Sequence, residues 1–259
     1  PVVNPEMPAV MTHEDLSVAL ELQDVATDPD GDLVSFRITD TLHGTAIIDP
    51  EGQRLVFTPE PGYTGVAAVT IIADDGFNFS GFVTIDIEVS DAPLLSFDIQ
   101  NRVPRIETGQ IYQLEVYGDF VDQFNVPLIG DYVTYTSSDP AVAVISDTGS
   151  IAAVADGSTR ITATRDHLQA ATAATVGFPE GIEEMYLYII GLDVYPETLT
   201  LSADGGSRQL EVHIGDDTDI AAGVTGTNYV VGNTEIITAT EDGLVTALGV
   251  GQTLLTVTH

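Results

Sequence analysis

The sequence predicts an all-β protein made of three tandem β-sandwich domains, at residues 1-92, 93-181 and 182-259. Three observations carry this. Short runs rich in β-branched and aromatic residues alternate with Asp-Gly, Pro-Gly and other turn signals about every ten residues, the rhythm of sandwich folds. No stretch shows the 3.6-residue apolar period of an amphipathic helix. Part of the chain also repeats itself, which marks two copies of one structural unit.

In the first unit the predicted strands include 33–38, 66–73 and 83–89, which are alternating or β-branched runs. In the second they include 112–117, 132–136 and 159–163. The alanine-rich stretch 164–175 has a helical composition, but the repeat makes it a loop followed by a strand over about 170–176. The repeat aligns Ser138–Gly149 with Gly232–Gly243, Gly157 with Gly251, Leu114 with Leu210, and Thr162-Ala163-Thr164 with Thr256-Val257-Thr258. The second copy stops just after the counterpart of Thr164, so the last sandwich is expected to lack its final strand. An edge left open in this way could accept a strand from another molecule. Segment 1–12 of a neighbouring copy is one candidate donor, although Pro5 and Pro8 weaken it as a central strand. A chain that continues further is the simpler expectation.

These residues resemble two families. Gly109–Leu114, Ser137–Val144, Gly149–Ala153 and Gly157–Thr164 are similar to the hallmark segments of group 2 bacterial immunoglobulin-like domains, and the third unit follows them more loosely. The first unit resembles the cadherin-like repeats of bacterial surface proteins, through Glu14-Asp15, Ala26–Asp32, His43-Gly44-Thr45, Phe57-Thr58-Pro59, Gly62–Gly65 and Ala73–Gly76. The resemblance implies immunoglobulin/cadherin-like sandwiches of an extracellular surface protein.

The most distinctive chemistry lies in Asp28-Pro29-Asp30-Gly31-Asp32, with Asp74-Asp75-Gly76 downstream. Alternating aspartates closed by glycine gather oxygen ligands around a hard cation. Calcium suits them because it takes six to eight oxygens in a flexible shell. An EF-hand is excluded, because counting from Asp28 puts Leu33 at the glycine position and Thr39 at the closing glutamate. The alternative is a plain Asp-Pro-Asp-Gly turn. The cadherin-like resemblance implies Glu14, Asp28, Asp30 and Asp75 as acidic ligands of Ca2+, with Asn4 as the linker asparagine. Asp32 would contribute through its backbone or side chain. One site or two are expected.

Composition removes several function classes. The formal charge is −33, and the seven basic residues are all arginine. Nucleic acid and anionic membranes are therefore poor partners. Most of the acid surface is expected to be a solvated face. The absence of cysteine removes disulfides, thiolate metal sites and cysteine nucleophiles. No apolar run reaches membrane-spanning length; the longest, 185–190, is strand-sized. The chain opens at Pro1 without a signal peptide, as expected for a processed protein or part of a longer one.

No catalytic residue is assigned. Asp147-Thr148-Gly149 copies an aspartic-protease motif, but its repeat counterpart is Glu241-Asp242-Gly243, and both are expected to be hairpin turns. The five histidines lack metal-ligand spacing. The functional expectation is a non-enzymatic, calcium-rigidified stalk or fibre module at the bacterial cell surface, serving adhesion or assembly. Its partners would be neighbouring domains of the same or identical chains. A carbohydrate- or receptor-binding module, or an accessory region of a secreted hydrolase, is the alternative.

Overall fold

The computed structural model describes residues 1–4, 9–102, 104–177, 192–203, 205–214 and 218–259. The apolar run 185–190 and the acidic segment 178–184 lie outside the described residues. The described backbone is strand and turn, with helix limited to the short 3-10 turns Leu22–Asp24 and Gly223–Thr225. The chain divides into two compact units. One comprises Pro1–Pro93 with Leu128–Tyr132; the other comprises Leu94–Pro127 with Val133–His259.

In the first unit a four-stranded sheet runs Val10–His13, Val83–Ser90, Gly65–Asp74, Ser35–Leu42. A second sheet of Val18–Glu21, Arg54–Pro59 and Gly44–Ile48 faces it. The period-two pattern puts Ala67, Val69, Ile71 and Ala73 inside from one strand and Val83, Ile85, Ile87 and Val89 from its neighbour. Leu55 and Phe57 close the core from the other sheet, both fully buried. Val10–His13 pairs in parallel with Val83–Ser90, whereas its neighbours in that sheet pair antiparallel. Val2–Val3 pairs with Ala26–Thr27. The described ends of segment 1–12 are thus already paired within their own sandwich. Donating them to another molecule would break both pairings, which removes the support for strand donation by this segment.

The second unit holds two sandwiches whose shared plan explains the sequence repeat. In one, Ile111–Gln113, Ser150–Ala153 and Ala143–Ile145 form a sheet; in the other, Ser207–Gln209, Leu244–Ala247 and Ile237–Ala239 form its counterpart. The likeness extends to single atoms. Leu114 and Leu210 donate their N–H groups to the carbonyls of Gly149 and Gly243. Gln113 Nε2 donates to the Leu114 and Thr148 carbonyls, and Gln209 Nε2 to those of Leu210 and Asp242.

Gly149 and Gly243 both have φ of +79°, and each lies under a tyrosine. A Cβ on Gly149 would sit 3.0 Å from the Tyr135 ring, and one on Gly243 2.6 Å from the Tyr229 hydroxyl. Left-handed backbone and crowding act together, so Gly149→Ala and Gly243→Ala are each expected to cost about 1–3 kcal/mol. Urea denaturation of each variant would measure this.

The alanine-rich stretch is a strand, Leu168–Val176, placed between Gly157–Arg165 and Arg105–Ile106. Its small side chains alternate into a crowded core: Ala170 and Ala174 are buried. In the last sandwich Leu255–Thr258 pairs with Asn228–Val231, and among the described residues no strand pairs with its other edge.

The two sandwiches of this unit touch directly. The turn before Leu168 docks on the connection after Val231: Gln169 N–H donates to Gly232 O at 2.8 Å and Thr234 N–H to His167 O at 3.2 Å. Arg102 Nη1, from the first of these sandwiches, donates to Thr256 Oγ1 of the second at 3.4 Å. Burial pushes the Tyr135 phenol up to about 12. A folded pKa above that of the unfolded phenol stabilises the fold below about pH 10, and this is lost as pH rises towards 12. Ultraviolet titration of native and Tyr135→Phe protein should show one late-ionising tyrosine disappear.

Candidate cation site

One end of the first sandwich is closed by two aspartates from different turns. Asp28 follows Ala26–Thr27. Its Oδ1 accepts the N–H groups of Asp30 at 2.8 Å and Asp32 at 3.4 Å, and Gly31, with φ of +85°, lets the chain double back. Asp75 follows the long strand Gly65–Asp74. Its Oδ1 accepts Phe77 N–H at 2.8 Å and Asn78 N–H at 2.7 Å, and Gly76 has φ of +86°. Both are Asx turns, in which a short carboxylate replaces backbone acceptors that a tight bend leaves out.

The two turns leave each Oδ2 pointing at one spot. The Pro1 ammonium sits there, 3.4 Å from Asp28 Oδ2 and 2.8 Å from Asp75 Oδ2. The two carboxylate side chains are 5% and 8% exposed. Pairing of Val2 with Thr27 brings Pro1 beside Asp28. The Pro1 hydrogen bond, with those of Asn78 and Phe77, holds the Asp75 carboxyl well below the usual carboxylate range. In return Asp75, and then Asp28, raise the ammonium pKa against its desolvation. The arrangement is a pocket for a positive group, made of two oxygens whose orientation is fixed by backbone donors.

The other expected ligands fall elsewhere. Glu14 follows Val10–His13, and its N–H donates to Ser90 O. Ser90 and Gly65 share one end of the sheet, and Asp74 lies at the other, nine residues along the strand. At about 3.4 Å per residue, Glu14 is about 30 Å from the aspartate pair. The parallel pairing of Val10–His13 is the reason. Asn4 lies three residues along from Pro1, about 10 Å away, with its backbone N–H on Val25 O and its Nδ2 on Asp24 O. Asp30 and Asp32 contribute backbone N–H groups, and both residues are exposed.

Among the described residues no three His, Asp or Glu side chains come together closely enough to hold a metal. The set expected from sequence thus contracts to Asp28 and Asp75. Two carboxylates supply only part of the six to eight oxygens of a calcium shell, and the backbone groups described beside them are N–H donors.

The aspartic-protease-like Asp147-Thr148-Gly149 is a hairpin turn closed by Gly149 N–H on Ser146 O. Its counterpart closes in the same way, with Gly243 N–H on Thr240 O.

Residues 94–176 match the family model of the group 2 bacterial Ig-like domain, and residues 1–88 match that of a bacterial Ig domain. No curated protein matches. Among solved structures the chain is similar to domains 4 and 5 of the S-layer protein SbsC, at 19% identity and TM-score 0.30, covering 47% of this chain and 69% of that one. It is also similar to the D00-D0 domain of intimin, at 14% identity and TM-score 0.29, covering 66% and 98%. A third similarity is to the endo-fucoidan hydrolase MfFcnA9, at 16% identity and TM-score 0.32, covering 68% and 34%. From the two family matches and the sandwiches that fill them, residues 1–88 and 94–176 are bacterial immunoglobulin-like domains.

Proposed function

We propose that this chain is a structural spacer of a bacterial extracellular surface protein, whose first sandwich is stiffened at one end by a cation between Asp28 and Asp75. The ion expected there is calcium. The observation that carries the proposal is the convergence of two shielded carboxylates, each oriented by backbone N–H donors, on one spot. A cation held there ties the turn after Ala26–Thr27 to the turn after Gly65–Asp74, two segments far apart in sequence. The matched domains support a spacer, and the −33 charge supports life in a cation-rich medium. When bound, calcium supplies charge neutralisation and oxygen coordination; the two aspartates orient and hold it.

The pH dependence follows from Asp75. A folded pKa below that of an unfolded aspartate, about 3.9, gives stability that is present above that value and lost as pH falls through the folded pKa. Thermal melting of the chain with and without millimolar calcium tests the proposal. A melting transition that shifts upward with calcium supports it, and identical transitions in calcium and chelator contradict it.

A further inference from the structure

A second site lies in the other compact unit, where the sheet containing Gly157–Arg165 faces the strand Asn228–Val231. The two enclose a cleft of about 370 Å³, within the range of small-molecule sites. We infer that this cleft binds a neutral oligosaccharide.

The lining carries the argument. Thr136 and Thr162 are directly paired across neighbouring strands. Arg160 lies two residues before Thr162, and so shares its face of the sheet. Gln169 joins from the next strand, and Tyr229 and Glu241 come from the opposite sandwich. The Tyr229 hydroxyl donates to Ala221 O at 2.6 Å, which anchors the ring.

Among the described residues, neither the Arg160 guanidinium nor the Glu241 carboxylate makes a hydrogen bond or ion pair. Both charged groups line the cleft and are open to a ligand there. The lining therefore offers fixed donors from Arg160 and Gln169, an acceptor from Glu241, two hydroxyls that can do either, and an aromatic ring.

Ligand classes can be eliminated one by one. An apolar ligand would leave this polar lining unsatisfied. A divalent cation finds a single carboxylate. A polyanion must approach through the field of a −33 chain. Vicinal sugar hydroxyls each donate and accept, and so can satisfy an arginine and a glutamate together. A pyranose ring also presents a C–H face that can pack against an aromatic side chain. This inference is independent of the cation site, which lies in the other unit and is built from other residues.

The test is a glycan array of neutral and acidic oligosaccharides probed with the whole chain in chelator, so that the cation site does not contribute. Titration calorimetry of the strongest neutral hit would follow, with Arg160→Ala, Glu241→Gln and, as a control far from the cleft, Glu14→Gln. Saturable binding to a neutral oligosaccharide, weakened at least tenfold by Arg160→Ala and by Glu241→Gln and unchanged by Glu14→Gln, is the expected result. Glu241→Gln changes an exposed turn residue, so it reports on the cleft even if Arg160→Ala disturbs the sheet. Silence on the neutral glycans, hits confined to acidic ones, or affinities indifferent to both cleft variants would overturn the inference.

Discussion

Replacing Phe57 with alanine should lower the stability of the first sandwich by about 3–5 kcal/mol, the usual cost of emptying a buried aromatic site. The side chain is fully buried in the central strand of its sheet, among Leu55, Val69, Ile71 and Ile85. Its ring lies against Gly44, where a Cβ would come within 2.3 Å. That close approach explains the glycine beside His43: the ring occupies the space a side chain would need. Relaxation into the cavity is limited because the neighbouring strands are held by ladders on both sides. Domains of this size have about 5–15 kcal/mol of total stability, so the loss is a large fraction of the whole. Urea denaturation would show a lower midpoint with an unchanged slope if only the native core is affected. A shift of under 1 kcal/mol would mean that this core is not packed as described.

The second large effect concerns the cation. At a calcium concentration about a hundredfold above Kd, binding to the native state alone raises the melting temperature of a domain this size by of order 10 °C. Asp75→Asn and Asp28→Asn should each remove most of that rise, because each deletes one of the two convergent charges. Glu14→Gln should leave it intact, since Glu14 lies at the other end of the sandwich. Differential scanning calorimetry of the three variants separates the proposed aspartate pair from the wider ligand set expected from sequence. Loss of the calcium response in Glu14→Gln would restore the wider set.

Much of the fold was legible because strands with one buried face write a period of two into the sequence. Val83–Ser90 shows it plainly, with buried Val and Ile on alternate positions. Leu168–Val176 does not, since alanine suits a helix as well as a crowded strand; only the internal repeat decided it. The turns at Asp28 and Asp75 were legible because each holds a glycine of positive φ, a local signal. The distance of Glu14 and Asn4 from that pair was not legible, because it depends on pairing, which is not local. Parallel pairing with Val83–Ser90 sends Glu14 to the far end, and antiparallel pairing with Ala26–Thr27 carries Asn4 away from Pro1. The cleft in the second unit left no mark in the sequence. Arg160, Thr162 and Gln169 look like any outward-facing polar residues until another sandwich is folded against them.

The most direct test is titration calorimetry of calcium into the whole chain, repeated with the Asp28→Asn, Asp75→Asn double variant. One saturable site per chain that vanishes in the double variant is the expected result. Equal binding by both proteins, or none by the native chain, would contradict the assignment of a cation site to this pair of aspartates.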